Sequence, residues 1–165
     1  MAEVIFALIC AAIFALTMSA NTQISKDMGA RTTANSQDSS SSEMANLDME
    51  AIMMTCNESF RIEMSYLEAL NSSGSFTDEV DRTPKCFLRC VLENIGVMSP
   101  DDGTFNPAKA AVIYAGERNG KPMDDIADMT SVCSDRNESC RCERAYKFMR
   151  CLMSMEIEKY ENSPP

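Results

Sequence analysis

Six cysteines between residues 56 and 151 constrain the fold of this chain more than any other feature. Their spacing is C-x29-C-x3-C-x42-C-x8-C-x8-C, and they are Cys56, Cys86, Cys90, Cys133, Cys142 and Cys151. A zinc or copper site is disfavoured, because the chain has no His and only one closely spaced cysteine pair, Cys140 and Cys142. We therefore interpret the cysteines as disulfide partners, which implies an oxidising compartment.

The N-terminal sequence supports that compartment. Val4 to Met18 form a largely apolar run without a charge. Such a run is too short to span a bilayer comfortably and is typical of the hydrophobic region of a secretory signal peptide. We predict a signal peptide over residues 1–20, cleaved after Ser19 or Ala20, and a mature protein that is secreted and extracellular.

Composition divides the rest of the chain into a leader, a domain and a tail. Residues 21–46 are rich in Ser, Thr and Asn and poor in large apolar side chains. A segment of this kind cannot bury enough surface to offset the entropy lost on ordering, so we predict a disordered leader there. The folded domain is expected over residues 47–160, followed by a short tail at 161–165.

Apolar residues recur at helical spacings throughout the expected domain. The pattern predicts helical structure, interrupted by short breaks, over residues 47–70, 84–97, 107–117, 123–133 and 140–160. Pro84 and Pro107 lie near helix starts, where a missing N–H costs little. Asn106 is the expected cap of the helix over residues 107–117, and Gly96 is the expected end of the helix over residues 84–97. No strong alternation with a period of two is visible, so the domain is predicted to be all-α.

Helix geometry limits how the six cysteines can pair. Cys86 and Cys90 lie at i and i+4, with Cβ atoms roughly 5–6 Å apart, whereas a disulfide needs roughly 3.5–4.5 Å. Cys142 and Cys151 are separated by roughly 13 Å along one helix axis. These two exclusions reduce the fifteen arithmetic pairings to about ten. In each of those, two bridges tie the helix that carries Cys86 and Cys90 to other parts of the domain.

The cysteine spacing resembles that of the insect odorant-binding proteins, the family of pheromone-binding and general odorant-binding proteins. The three residues between Cys86 and Cys90 and the eight on each side of Cys142 carry the resemblance. The stretches CFLRCVLENIGV and DDGTFNPAKA resemble the third helix of the family, the following turn and the start of the fourth helix. CERAYKFMRC resembles the last cysteine pair, and the resemblance covers about residues 50–155.

The resemblance implies a compact six-helix bundle stapled by three interlocked disulfides around an internal apolar cavity. It implies the pairs Cys56–Cys90, Cys86–Cys142 and Cys133–Cys151, which are one of the permitted sets. Cys140 departs from the family pattern. We expect it to be a free or mixed-disulfide thiol before the last helix, although it competes closely with Cys142 as the partner of Cys86. The leader is also longer than is usual for the family.

The function implied by the resemblance is that of a secreted carrier, which solubilises small hydrophobic ligands such as odorants or pheromones for delivery to a membrane chemoreceptor. The resemblance indicates five ligand-contact positions and helix faces add three more: Val97, Phe105, Ala145, Met149 and Leu152, then Ile113, Ile126 and Met129. Some family members carry an alcohol-binding hydroxyl at the position of Val97. The candidate polar anchors are Tyr114, Tyr146 and Tyr160. The 14 Met residues suit adaptable apolar walls, although core packing accounts for most of them.

Other classes of function are disfavoured. The net charge of −10 argues against nucleic acid and anionic membranes as partners. No nucleophile elbow, phosphate loop or His-based triad is present, so we expect no enzyme activity, no cofactor and no metal. A monomer or weak homodimer is expected, with Asn71 in a predicted loop as the best glycosylation candidate. The alternative function is a secreted, disulfide-bonded helical signalling or defence protein that acts through its surface.

The absence of His also predicts how ligand affinity depends on pH. No ordinary side chain titrates between pH 7 and 6 without it. We predict an affinity that is flat from pH 7.5 to about 5.5 and falls lower as Glu156 and Glu158 become protonated. A buried carboxyl with a strongly raised pKa would move that loss to higher pH.

Overall fold

Residues 47–162 are described by the computed structural model of the chain, and they form six α-helices and one short β-hairpin. The helices are α1 (Met49–Phe60), α2 (Met64–Ser73), α3 (Thr83–Asn94), α4 (Pro107–Ile113), α5 (Ile126–Ser134) and α6 (Arg141–Glu156). The hairpin pairs β1 (Glu117–Arg118) with β2 (Lys121–Pro122), and a π-helical turn (Ile157–Glu161) follows α6. The predicted signal peptide and leader lie outside the described residues.

The predicted helical segment 47–70 consists of two helices, α1 and α2, in keeping with the six helices expected, and the break between them lies at residues 61–63. Arg61 has a left-handed backbone with φ 49°, and its N–H donates to the carbonyl of Asn57. The Asn57 side chain accepts a further bond from the N–H of Ile62 at 3.0 Å. These bonds close the end of α1. The periodicity of the apolar residues continues across the break, which is why the pattern did not reveal it.

The helix predicted over residues 107–117 ends early, at Ile113. Its start is as expected, because Asn106 caps it by accepting from the N–H of Lys109 at 3.0 Å. The chain then forms the hairpin, whose turn residues Asn119 and Gly120 have φ values of 52° and 72°. An Asn-Gly pair with both φ positive is the preferred two-residue hairpin turn. The prediction of a purely helical domain therefore missed these two short strands.

Two boundaries near the ends of helices also differ from the prediction. The last helix keeps α geometry only to Glu156, where the sequence pattern predicts a helix to residue 160. Asn71, predicted in a loop, lies in the last turn of α2 and is exposed. The helix ends beyond it because Gly74 adopts φ 75°, which only Gly reaches without strain.

Three disulfides connect four of the helices. They are Cys56–Cys90, between α1 and α3; Cys86–Cys142, between α3 and α6; and Cys133–Cys151, between α5 and α6. These are the three pairs that the resemblance implies. We call α1, α3, α5 and α6 the disulfide-linked frame, because the bridges join them into one covalent series.

The core lies along the buried face of α6, where it packs against α3 and α5. Tyr146 is fully buried and its ring stacks on Phe76, with ring centroids 4.6 Å apart. Phe148 is also fully buried and stacks on Phe105 at 4.5 Å. The central helix is therefore anchored on one side to the segment after α2 and on the other to the segment before α4.

Candidate functional site

An open pocket of about 680 Å³ lies beside α6, between α2, the end of α4 and the hairpin. Its volume is in the range typical of small-molecule sites. Seven large aliphatic or thioether side chains line it: Leu67, Leu70, Leu88, Ile113, Met123, Met149 and Met153. We call α2, α4 and the hairpin the pocket wall, because no disulfide reaches any of the three. The internal, enclosed cavity expected from the resemblance stays a prediction.

Helical spacing explains how α6 presents its part of the pocket. Met149, Met153 and Glu156 follow one another at intervals of four and three, which places them on one face of the helix. On α2, Leu67 and Leu70 are three residues apart and share the facing side in the same way. Flexible methionines on α6 and leucines on α2 make a pocket lining that can adapt to different apolar shapes.

Arg118 connects the hairpin to both other sides of the pocket. Its guanidinium donates to Glu156 Oε2 at 2.9 Å, to Glu161 Oε1 at 2.8 Å and to the carbonyl of Asn71 at 2.6 Å. The Arg118 and Glu156 side chains are only 11% and 4% exposed. A charge pair this well shielded from water is sensitive to the loss of either partner.

Glu156 is the most unusual acidic group of the pocket. Burial raises the pKa of its carboxyl, and the hydrogen bond and charge of Arg118 oppose that effect only in part. Sequence reasoning selected Glu156 as a titrating group but could not place it in a buried position. In the structure Glu156 is buried. A buried carboxyl with a raised pKa is the condition under which ligand release would move to higher pH.

Tyr114 follows α4 and brings a second polar group to the same pocket. Its hydroxyl contacts Met149 Sδ at 3.3 Å, and the ring is half-buried. Burial, followed by the nearby charge of Glu156, raises the pKa of Tyr114, so its hydroxyl keeps its proton. The other two candidate anchors are used elsewhere: Tyr146 donates to Glu79 at 2.7 Å, and Tyr160 donates to Asp125.

The structure brings two of the eight predicted ligand contacts, Ile113 and Met149, into the pocket lining. The other six are not among the lining residues of this pocket. One of these six, Phe105, stacks on Phe148. The other five are buried in the core: Val97, Ile126, Met129, Ala145 and Leu152. Whether any of the eight contacts a ligand stays a prediction.

Sequence reasoning missed several lining residues, for two different reasons. Met153 and Glu156 lie four and seven positions after Met149, so the helical spacing could have found them. Arg118 and Glu161 had no such signal. Arg118 reaches the pocket because a hairpin forms where a helix end and a break were predicted, and Glu161 because the chain continues as a π-helical turn.

Cys140 forms no disulfide and is partly exposed, just before α6. Arg82 lies with Nη2 at 3.6 Å from its sulfur. Backbone N–H groups at the start of α6, with Arg82, lower the pKa of the thiol against the opposing effect of burial. Cys142, rather than Cys140, bonds to Cys86.

Neither a metal centre nor a membrane span is found in the part of the chain that the structure describes. Within residues 47–162 no cluster of three or more His, Cys, Asp or Glu side chains could hold a metal ion. No helix in the same range is long and apolar enough to cross a membrane.

A helical frame with three disulfides beside an apolar pocket is the arrangement of a small-ligand-binding protein. Comparison with known sequences identifies the family. The chain belongs to the PBP/GOBP family, whose family model matches residues 38–155. Members of this family are non-enzymatic proteins that bind small hydrophobic odorants.

Among individual proteins, the chain is similar to general odorant-binding protein 84a of Drosophila melanogaster. The two are 24% identical over 128 residues, which cover 72% of this chain and 63% of that protein. The chain therefore spans less than two thirds of the length of this relative. No solved structure matches the chain significantly.

Proposed function

We propose that this chain is a secreted carrier that binds and solubilises small hydrophobic ligands, odorants or pheromones, and delivers them to chemosensory receptors. The ligand lies in the pocket between α2, the hairpin and α6. The observation that carries the proposal is the pocket of about 680 Å³ with seven large apolar lining side chains, in a chain of the PBP/GOBP family. The family and the three disulfides support an extracellular location.

The size of the pocket sets the affinity to expect. A ligand that buries about 300 Å² of apolar surface gains roughly 7 kcal/mol at about 25 cal/mol per Å². Association costs remove several kcal/mol of that gain. We expect dissociation constants near the micromolar range, which suits a carrier that must also release its cargo.

Displacement of a fluorescent naphthylamine dye by long-chain alcohols, esters and aldehydes tests the proposal. Wild-type protein should bind the dye and lose it to members of the panel. Leu67→Arg should weaken dye and ligand binding by at least about tenfold, because the new side chain occupies the pocket. The circular dichroism spectrum should stay helical in this variant.

Val132→Arg is the matched control. Val132 is 61% exposed on α5 and does not line the pocket, so the same chemical change there should leave binding as in the wild type. A dye that binds both variants equally, or no displacement by any of the ligands, would contradict the carrier function. The surface-acting signalling or defence protein would then be the better reading.

A further inference from the structure

Glu156, which lines the pocket, carries a buried carboxylate oxygen that has no hydrogen-bond partner among the described residues. Glu156 is 3% exposed, and its Oε2 accepts from Arg118. Its Oε1 is shielded from water and has no hydrogen-bond partner among residues 47–162. Buried acceptors are almost always satisfied, and leaving one unmade is costly. An acceptor of this kind in the lining of a pocket marks the position of a missing donor.

Tyr114 supplies the complementary group in the same pocket. Among residues 47–162 its hydroxyl has only the sulfur of Met149 as a partner, and thioether sulfur is a weak acceptor. The hydroxyl can therefore donate to a better acceptor if one enters. Arg118 has less capacity to donate a hydrogen bond to a ligand, because its guanidinium already donates to Glu156, Glu161 and the carbonyl of Asn71.

The charges around the pocket limit the kind of ligand head that fits. The charged lining residues are Arg118 and three glutamates, Glu117, Glu156 and Glu161, so an anionic head meets net negative charge. A cationic head at Glu156 Oε1 would lie close to the guanidinium of Arg118, which holds the other oxygen of the same carboxylate at 2.9 Å. A neutral head that both donates and accepts avoids both repulsions.

We propose that Glu156 and Tyr114 form a head-group subsite that selects neutral alcohols. The ligand hydroxyl donates to Glu156 Oε1 and accepts from the Tyr114 hydroxyl, while its apolar chain lies along Leu67, Met149 and Met153. This inference rests on the proposed carrier function, and it adds the chemical class of the ligand.

A set of four ligands with the same twelve-carbon chain tests the subsite by calorimetry and dye displacement at pH 7. They are dodecan-1-ol, its methyl ether, dodecanoic acid and dodecylamine. The ether keeps an acceptor oxygen but cannot donate. We expect the alcohol to bind roughly tenfold more tightly than the ether, and more tightly than the acid and the amine.

Two variants separate the two hydrogen bonds. In Glu156→Gln, Arg118 holds the amide oxygen, so an NH₂ group replaces Oε1 and donates instead of accepting. The alcohol should then lose its advantage while the ether binds as well as before or better. Tyr114→Phe should weaken the alcohol and the ether alike, because both oxygens accept from the Tyr114 hydroxyl. A purely structural role would weaken all four ligands together.

Glu79→Gln and Tyr66→Phe are the matched controls. Glu79 pairs with Arg150, and Tyr66 donates to Asp81; neither lines the pocket. Both should keep the preference of the wild type for the alcohol. Equal affinity for alcohol and ether, or tighter binding of the acid or the amine, would overturn the subsite and leave the carrier function standing. If none of the four ligands binds, the carrier function itself is wrong and the subsite falls with it.

Discussion

The disulfide-linked frame and the pocket wall are held in place by different kinds of interaction. In the frame, three covalent bridges join α1, α3, α5 and α6 in series, and the stacked aromatic rings of the core fill the space between them. In the wall, α4 packs against α5, and Arg118 joins the hairpin to α2 and to the end of α6 by hydrogen bonds and ion pairs.

This difference suits a protein that must hold a ligand and release it. Covalent bridges keep the frame together whatever the pocket contains, so the wall can shift to fit cargoes of different shape. The polar contacts of the wall can be weakened by a change of charge, whereas the disulfides are unaffected by pH in the physiological range. Stability should therefore depend mainly on the frame, and ligand affinity on the wall and on the face of α6 that lines the pocket.

Removing a bridge of the frame should give the largest loss of stability. Cys86–Cys142 spans 56 residues and Cys133–Cys151 spans 18. Loop entropy predicts a loss of about 4 kcal/mol for the paired Ser variant of the longer bridge and about 3 kcal/mol for that of the shorter. Urea unfolding followed by circular dichroism measures both, in a Cys140→Ser background that prevents replacement pairing. Equal stability of the bridged and unbridged proteins would show that packing alone maintains the frame.

Arg118→Met should be the most damaging change in the wall. It leaves the buried Glu156 carboxylate without its cation, which costs about 3 kcal/mol at pH 7. Glu156→Gln should cost less than about 1 kcal/mol, because burial already penalises the charged form and Arg118 keeps its other acceptors. The double variant should recover most of the loss. Urea unfolding of the wild type, the two single variants and the double variant measures the coupling energy between Arg118 and Glu156. Additive losses of stability would contradict that coupling.

The same pair gives a pH test with a definite sign. The pKa of Glu156 is raised in the folded protein, so folding favours its neutral form. The penalty for its charge is therefore present above the folded pKa and disappears as pH falls through that value. Arg118→Met should consequently become less destabilising, relative to the wild type, as the pH is lowered from 7 toward 5. A cost that grows on acidification would contradict the assignment to Glu156.

Tyr146→Phe should have a smaller effect, confined to stability. The hydroxyl of Tyr146 donates to Glu79 at 2.7 Å and accepts from the N–H of Phe76 at 3.3 Å. Losing both bonds should cost about 1–2 kcal/mol in urea unfolding. Ligand affinity should stay unchanged, because Tyr146 belongs to the frame and does not line the pocket. An affinity loss of tenfold or more would show that frame and wall are coupled.

The helices of the frame could be predicted because helical periodicity depends on near neighbours. Its disulfides join residues up to 56 positions apart, and their pairing was implied by the resemblance of the cysteine spacing to a known family. The six-helix arrangement with three disulfides is confirmed. The wall was harder to predict because its key contact is not local: Arg118 and Glu156 are 38 positions apart and meet through a hairpin that apolar periodicity does not reveal. Burial of Glu156, and hence its raised pKa, follows from that contact and from no feature of the sequence.

The dependence of alcohol affinity on pH should be the smallest effect, and it depends on the contact between the wall and Glu156 of α6. The charged and polar groups around Glu156 are Arg118 on β1, Glu161 on the π-helical turn and Tyr114 after α4. A carboxylate accepts a stronger bond from the ligand hydroxyl than a neutral carboxyl does. Affinity should therefore be present above the raised pKa of Glu156 and fall, by up to about tenfold, as pH drops through it.

This expectation replaces the flat dependence of ligand affinity on pH that was predicted from sequence. Glu156 is buried and its pKa is raised, so the loss of affinity should begin at higher pH. The dissociation constant of dodecan-1-ol measured from pH 7.5 to 4.5 tests it. Glu156→Gln should abolish the pH dependence, and Glu158→Gln, at an exposed position outside the pocket lining, should keep it. A loss that persists in Glu156→Gln, or that only Glu158→Gln removes, would place the titrating group elsewhere in the C-terminal segment.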